Sequence, residues 1–314
     1  MAKDGPFTNL QLVDRVDVWP YFTKDPGQYK KFMEPYFYFM IEGFTKPFGY
    51  IHRGFVRQLE WPDFWVINAD KRFVTLTSGN DFNTRTQLVQ ETLVKGHEPG
   101  SVPILKRLSK ENFPLYDSNG QHVLDMDGAG LDLFGVANFS VHLIAWVNTD
   151  EGIKYWIPRR AGRMSYPNML DNTVGGSLRT GEAPMECIVR ECEEEIRLDP
   201  AYTREHIRAC GTASYQMAAN ECGSPGCQLQ TQYLYEMELR ADIVPRIGDG
   251  EVAELALMTI EEVRDSMRNG EFKLNCNMTW LAFLIRHGHL TAENEPDFLE
   301  ICARLHRRHD LFIS

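Results

Sequence analysis

The segment from Gly175 to Leu198 constrains this chain most, because it sets three carboxylates beside the apolar face of what reads as a single helix. Thr180 and Glu182 offer helix-starting side chains, and Pro184 suits a first turn, where its missing N–H is not needed. A helix is therefore expected from near residue 183. From there Met185, Ile188, Val189, Cys192 and Ile196 fall at i, i+3, i+4, i+7 and i+11, an apolar stripe expected to pack onto a sheet. Beside it, Glu191, Glu194 and Glu195 stand at i, i+3 and i+4, on one edge of the helix. Like charges at those spacings cost roughly 0.2 to 0.5 kcal/mol per pair, and the macrodipole disfavours anions near a helix C-terminus. Stability alone does not select such a pattern. A hard divalent cation removes the repulsion, and Mg²⁺ held by carboxylates can bridge to diphosphate oxygens. For an isolated acidic run, a solvated charge face is the default reading.

The surrounding residues overturn that default. The segment resembles the Nudix box, G-x5-E-x7-R-E-U-x-E-E-x-G-U, with Gly176, Glu182, Arg190, Glu191, Cys192, Glu194, Glu195 and Leu198 at the matching places. The resemblance implies a Nudix hydrolase of α+β class, in which helices sandwich a mixed sheet and the box forms a loop, a helix and a loop. It further implies Mg²⁺ or Mn²⁺ as cofactor, with Glu191, Glu194 and Glu195 as ligands and the Gly176 carbonyl as a further one. By the same resemblance, Glu182 and Arg190 form the ion pair that holds the box together and orients Glu191. One position departs from the pattern: Arg197 stands where the family has glycine, which costs roughly 1 kcal/mol or more if the backbone there is left-handed.

At 314 residues the chain has room for two domains, each with its own core. A small α+β N-terminal domain over residues 1–125 and a Nudix domain over 126–314 are expected. In the first, Phe48 to Leu59 and Phe64 to Thr77 read as strands and Arg85 to Gly96 as a helix; nothing there carries recognisable chemistry. The turn-prone stretches Asp117–Gly120 and Asp125–Gly130 mark the boundary, and Asp125 and Asp127 fit a linker better than a calcium loop, which lacks its closing Glu here. Beyond it, Ser140 to Val147 and Lys154 to Ile157 read as a hairpin, Gln230 to Leu239 as a strand, and Ile260 to Asn269 and Trp280 to His287 as helices.

A net charge of -11 opposes nucleic acid and anionic lipid, and neither a signal-like N-terminus nor a membrane-length apolar run is present. The expected setting is soluble and cytoplasmic, with a homodimer as the candidate assembly. Seven cysteines, with Cys222 and Cys227 separated by four residues rather than two, fit idle thiols in a reducing compartment better than a zinc site.

A diphosphate already has an acceptable leaving group, so catalysis needs charge neutralisation, a positioned water and a base. The base is either a box glutamate or an acid on a later loop. Glu251 is the candidate for the latter, against the plainer reading of a surface turn acid. Arg159 and Arg160 are candidates for bidentate phosphate binding, against surface arginines. The stretches Trp156–Arg160, Tyr166–Asp171, Asp249–Glu251, Gly270–Asn275 and Leu284–Gly288 resemble the Nudix subfamily related to thiamine pyrophosphokinase, in which an extra domain precedes the Nudix domain. Some members are fused to the kinase itself, and this chain, ending at Ser314, is expected to lack it. That resemblance implies hydrolysis of thiamine diphosphate, or more so its oxidised analogues, to the monophosphates. An ADP-sugar or dinucleotide pyrophosphatase is the alternative, and a non-catalytic Nudix-fold binding module a third, opposed by the intact glutamate set. The 18 Phe, 12 Tyr and 6 Trp, rich in the first domain, are either core or a stacking wall for a heteroaromatic ring.

Overall fold

The structure, a computed structural model, describes residues 6–97, 105, 108–219, 224–248, 250–309 and 311; Cys222 and Asp249 lie outside the described residues. The first part of the chain runs α1 (Asn9–Asp14), α2 (Pro26–Phe32), β1 (Tyr36–Ile41), β2 (Gly49–His52), α3 (Arg53–Gln58), β3 (Trp65–Asn68), β4 (Phe73–Leu76), α4 (Phe82–His97), β5 (Asn112–Tyr116), β6 (His122–Asp127) and α5 (Gly128–Phe134). The second part runs β7 (Ala137–Thr149), β8 (Gly152–Arg160), β9 (Val174–Ser177), α6 (Pro184–Ile196), α7 (Pro200–His206), β10 (Arg208–Ala219), β11 (Pro225–Leu239), β12 (Val252–Met258), α8 (Ile260–Arg268), α9 (Cys276–Arg286) and α10 (Phe298–Arg304).

Local chemistry explains where several elements differ from expectation. The Phe48–Leu59 stretch is a short strand followed by a helix, because His52 accepts from the Gly54 N–H and starts α3. Asp117 closes the β5–β6 turn by accepting from the N–H groups of Asn119 and Gln121. Asp125 and Asp127 are not in a linker. Both belong to β6, and Asp127 caps α5 by accepting from Ala129. The first core therefore runs past residue 125: Met126, Leu131, Phe134 and Val136 pack with Phe39, Trp65 and Leu93. Phe39, Phe55, Trp61 and Trp65 surround Phe134 at centroid distances of 5.2, 5.7, 6.0 and 5.8 Å, so this aromatic set is core. At the other end, Leu12, Val13 and Val16 join Trp280 and Phe283 in the second core, because α1 packs against α8, α9 and α10. The two units are thus not split at a single point in the sequence.

Among the described residues the second sheet is six-stranded, in the order β10-β11-β7-β8-β12 with β9 on β7. It is mixed: β11 and β7 are parallel, and the β7–β8 hairpin and the remaining pairs are antiparallel. Alternation along β7 sends Val141, Leu143 and Ala145 to the layer holding Ile188, Cys192 and Ile196 of α6. Ile144 and Trp146 point to the opposite layer, with Trp280 and Phe283 of α9. Helices therefore cover both faces of a mixed sheet, as the resemblance implied. No helix among the described residues is long and apolar enough to cross a membrane.

Arg197 ends α6 at φ 56°, in the left-handed region where an L side chain costs roughly 1 to 2 kcal/mol. Its N–H reaches the Glu193 carbonyl, and Leu198 N–H reaches that of Cys192, so the turn closes the helix despite the strain. Arg197→Gly should raise stability by up to about 1 kcal/mol, offset in part by the freer unfolded chain. Urea unfolding checks this: a raised midpoint at unchanged slope is expected, and an unchanged or lowered midpoint refutes it.

Candidate active site

One guanidinium organises the glutamate helix. Arg190 donates to both oxygens of Glu182 at 2.8 and 3.0 Å, and through Nη1 to Glu191 at 2.8 Å and Glu194 at 3.0 Å. Glu182 is thus engaged by Arg190, and Thr180 bonds to Asp125; the helix N-cap is Ala183, which has no side-chain cap. The expected capping roles of Thr180 and Glu182 are not taken up, because both side chains serve the loop that leads into the helix.

Glu191, Glu194, Glu195, Gly176 and Glu251 all line a cavity of about 260 Å³ at one end of the second sheet. Gly176 is required there: a Cβ would overlap the Glu191 carboxyl, which lies against the backbone of β9. Burial pushes the Glu191 carboxyl up to about 7, with Glu194 adding to the rise and Arg190 opposing it. The loop after β11 brings Glu251 to the same cavity. Arg246 N–H and Gly248 N–H cap α6 on the carbonyls of Ile196 and Glu195, and Ala161 N–H holds the Glu251 carbonyl at 2.8 Å. A Cβ on Gly248 would collide with the Glu194 carbonyl, so glycine lets this loop lie directly on the helix end.

The opposite wall carries cations that the sequence reading partly missed. Arg160 lines the cavity, tied to Asp171 and, through Nε at 2.7 Å, to the Ser165 carbonyl. Arg159 does not line it. Its neighbour in the strand points the other way, and Arg159 instead meets Glu254 at 3.5 Å and donates to the Asn168 carbonyl. Lys273 supplies further positive charge there, whereas Arg179 stands on the box side, where it pulls the Glu191 carboxyl down. Burial pushes the Asp171 carboxyl up, but Lys273 and Arg160 pull it on balance below its ordinary value, so it stays an anion between two cations. The cavity also meets His142, which sits within hydrogen-bond distance of Ser140, Asn172 and Gln232. Burial drives its imidazole down to about 3, so this ring is neutral and structural. Arg179 lies inside the box and Lys273 inside a stretch already singled out; nothing in the sequence marked Glu111, which reaches the cavity from the first domain.

Residues 140–278 match the NUDIX domain family model, and residues 25–138 match a domain of unknown function, DUF4743. The chain carries a Nudix domain. An uncharacterized protein of Saccharomyces cerevisiae is 28% identical over 96% of this chain and 91% of its own length. Nudix hydrolase 24, chloroplastic, and Nudix hydrolase 20, chloroplastic, of Arabidopsis thaliana are each 29% identical, over 82% and 83% of this chain and 69% and 70% of theirs. The DUF4743 match ends at residue 138, consistent with a first core that continues to Val136. The Nudix domain, bearing its full carboxylate set, is a diphosphate hydrolase.

Nudix hydrolases use divalent metals such as Mg²⁺ or Mn²⁺, and the residues here fit one by donor type and by electrostatics. Carboxylate oxygens suit a hard cation, and a Glu191 carboxyl raised by burial is short of positive charge. Among the described residues no three acidic, His or Cys side chains already form a closed cage, because Glu191 and Glu194 are both turned onto Arg190. Glu191→Gln and Glu195→Gln should each lower kcat by about a hundredfold or more, the scale of losing one preorganised charged group. Glu182→Gln, acting through Arg190, should cost about tenfold or more. Steady-state kinetics beside far-UV circular dichroism checks this, and near-wild-type kcat in both the Glu191 and Glu195 variants would place the site elsewhere.

Proposed function

We propose that this Nudix domain hydrolyses a compact organic diphosphate, thiamine diphosphate or preferably its oxidised analogues, to the monophosphate. The observation that carries the reading is where the subfamily-like stretches fall. Arg160, Tyr166, Glu251, and Lys273 with Asn275 each come from a different one of those stretches, and all line the cavity of the box glutamates. The cavity's volume of about 260 Å³ also lies near the lower end for ligand sites, roughly 300 Å³, which suits a small substrate better than a dinucleotide. Tyr166, held at φ 52°, and the side chains of Met164 and Met217 give this wall its apolar surface, so the ring meets these residues rather than first-domain aromatics.

In the mechanism, Lys273 and Arg160 receive phosphate oxygens, which orients the anhydride along the cavity. Glu191, Glu194, Glu195 and the Gly176 carbonyl would hold a divalent cation, which would supply charge neutralisation and a more acidic water. Glu251, on the cavity wall, is the base that accepts a proton from the attacking water. Arg190, donating through Nη1 to both Glu191 and Glu194, screens their repulsion and holds them aligned.

Turnover should require Mg²⁺ or Mn²⁺ and stop in excess EDTA; undiminished activity in chelator refutes the metal-bound carboxylate site. Substrate choice is read from kcat/KM for oxothiamine diphosphate, thiamine diphosphate and ADP-ribose in the full-length chain. Truncation near residue 125 is unsuitable, since it would strip Leu12, Val13 and Val16 from the second core. The thiamine compounds should lead ADP-ribose by a wide margin and differ among themselves only modestly, because a pocket senses a small ring change by roughly 1 to 3 kcal/mol. An ADP-ribose value equal to or above theirs favours the ADP-sugar pyrophosphatase reading instead.

A further inference from the structure

The β5–β6 ribbon of the first domain grips the box loop at successive residues. Thr180 N–H donates to the Asn112 carbonyl at 2.9 Å, and Thr180 Oγ1 donates to Asp125 Oδ1 at 2.6 Å. Next to it, Arg179 pairs with Glu111 at 2.6 Å. The ribbon is itself fastened down. Asp125 N–H donates to Thr86 and Arg85 donates to the Val123 carbonyl, both on α4, while the Asp127 carboxylate accepts from the backbone N–H groups of Ser109 and Lys110. Among the described residues Glu111 is the only side chain of the first domain on the cavity wall.

We infer that the first domain is the specificity element of the hydrolase. The Thr180 clamp fixes the loop so that the Glu111–Arg179 pair closes one wall of the cavity and caps the length of the substrate's organic part. Glu111 also presents a carboxylate to that part, which favours a cationic or N–H-bearing ring and disfavours an anionic extension. Hydrogen bonds at Thr180 set the position, and the Glu111–Arg179 pair forms the surface that substrate meets. A half-exposed ion pair adds little to stability, so its value here is geometric. This inference rests on the compact-diphosphate reading above.

The experiment measures kcat/KM for thiamine diphosphate and for ADP-ribose in the full chain, as a ratio, together with Mn²⁺ affinity by electron paramagnetic resonance and Tm. Glu111→Ala should shift the ratio toward ADP-ribose by about tenfold, with Mn²⁺ affinity changing by much less than the ratio, because Glu111 reaches the glutamates only through Arg179. Thr180→Val should shift it the same way, and Thr180→Ser should restore it. A ratio that stays at the wild-type value in both Glu111→Ala and Thr180→Val overturns the inference. So does an equal loss on both substrates with a lowered Tm, which marks a purely structural contact. A wild-type enzyme that already prefers ADP-ribose refutes the substrate reading alone, since the response of the ratio to Glu111 is still read.

Discussion

Everything at the cavity depends on how repulsion along one edge of α6 is resolved. Glu191 and Glu194 face the same edge with Glu195 beside them, and Arg190 answers with one guanidinium shared between Glu182, Glu191 and Glu194. Arginine suits this place because its planar fork donates to several oxygens at once while remaining charged. The arrangement neutralises part of the helix's charge and leaves Glu191 still raised to about 7 by burial, an imbalance that a hard cation meets. Structure and chemistry therefore share one set of groups.

The fold supplies this edge with walls. The sheet carries Gly176 of β9 against Glu191, and the capped end of α6 anchors the loop that leads to Glu251. Asp171, kept ionised by Lys273 and Arg160, pins the opposite side. The first domain finishes the enclosure with Glu111. Its aromatics either fill its own core or, as Trp19, Tyr36 and Tyr50, pack against Cys227 and Leu229 of β11, so its contribution to the site comes from a polar ribbon edge rather than from ring surface.

Much of the site was legible because periodicity and short-range pairing act within one element. The apolar stripe of α6 and the α8 helix follow from neighbours within about two turns, whereas the Glu182–Arg190 pair and the left-handed turn at Arg197 were legible only through the resemblance to the Nudix box. The strands β10 and β12 were not read. The burial of β12 is irregular and its neighbour β8 lies nearly a hundred residues earlier, so its strand character comes from pairing rather than from its own pattern. Asp125 was misread as a linker residue for a similar reason: its partners Thr86 and Thr180 stand 39 and 55 residues away.

What the sequence by itself determined is the chemistry: a spacing of carboxylates, an arginine and a glycine whose side-chain directions are set by the helix period, which any packing must respect. Tertiary structure alone decided which residues face those carboxylates. Arg160 and Arg159 are adjacent and chemically identical, yet strand alternation sends only Arg160 into the cavity. Glu111 and Lys273 reach it from the two different domains, far apart in the chain. The physical reason is that backbone period fixes direction only locally, whereas proximity between distant segments is set by how the two cores and the ribbon between them close.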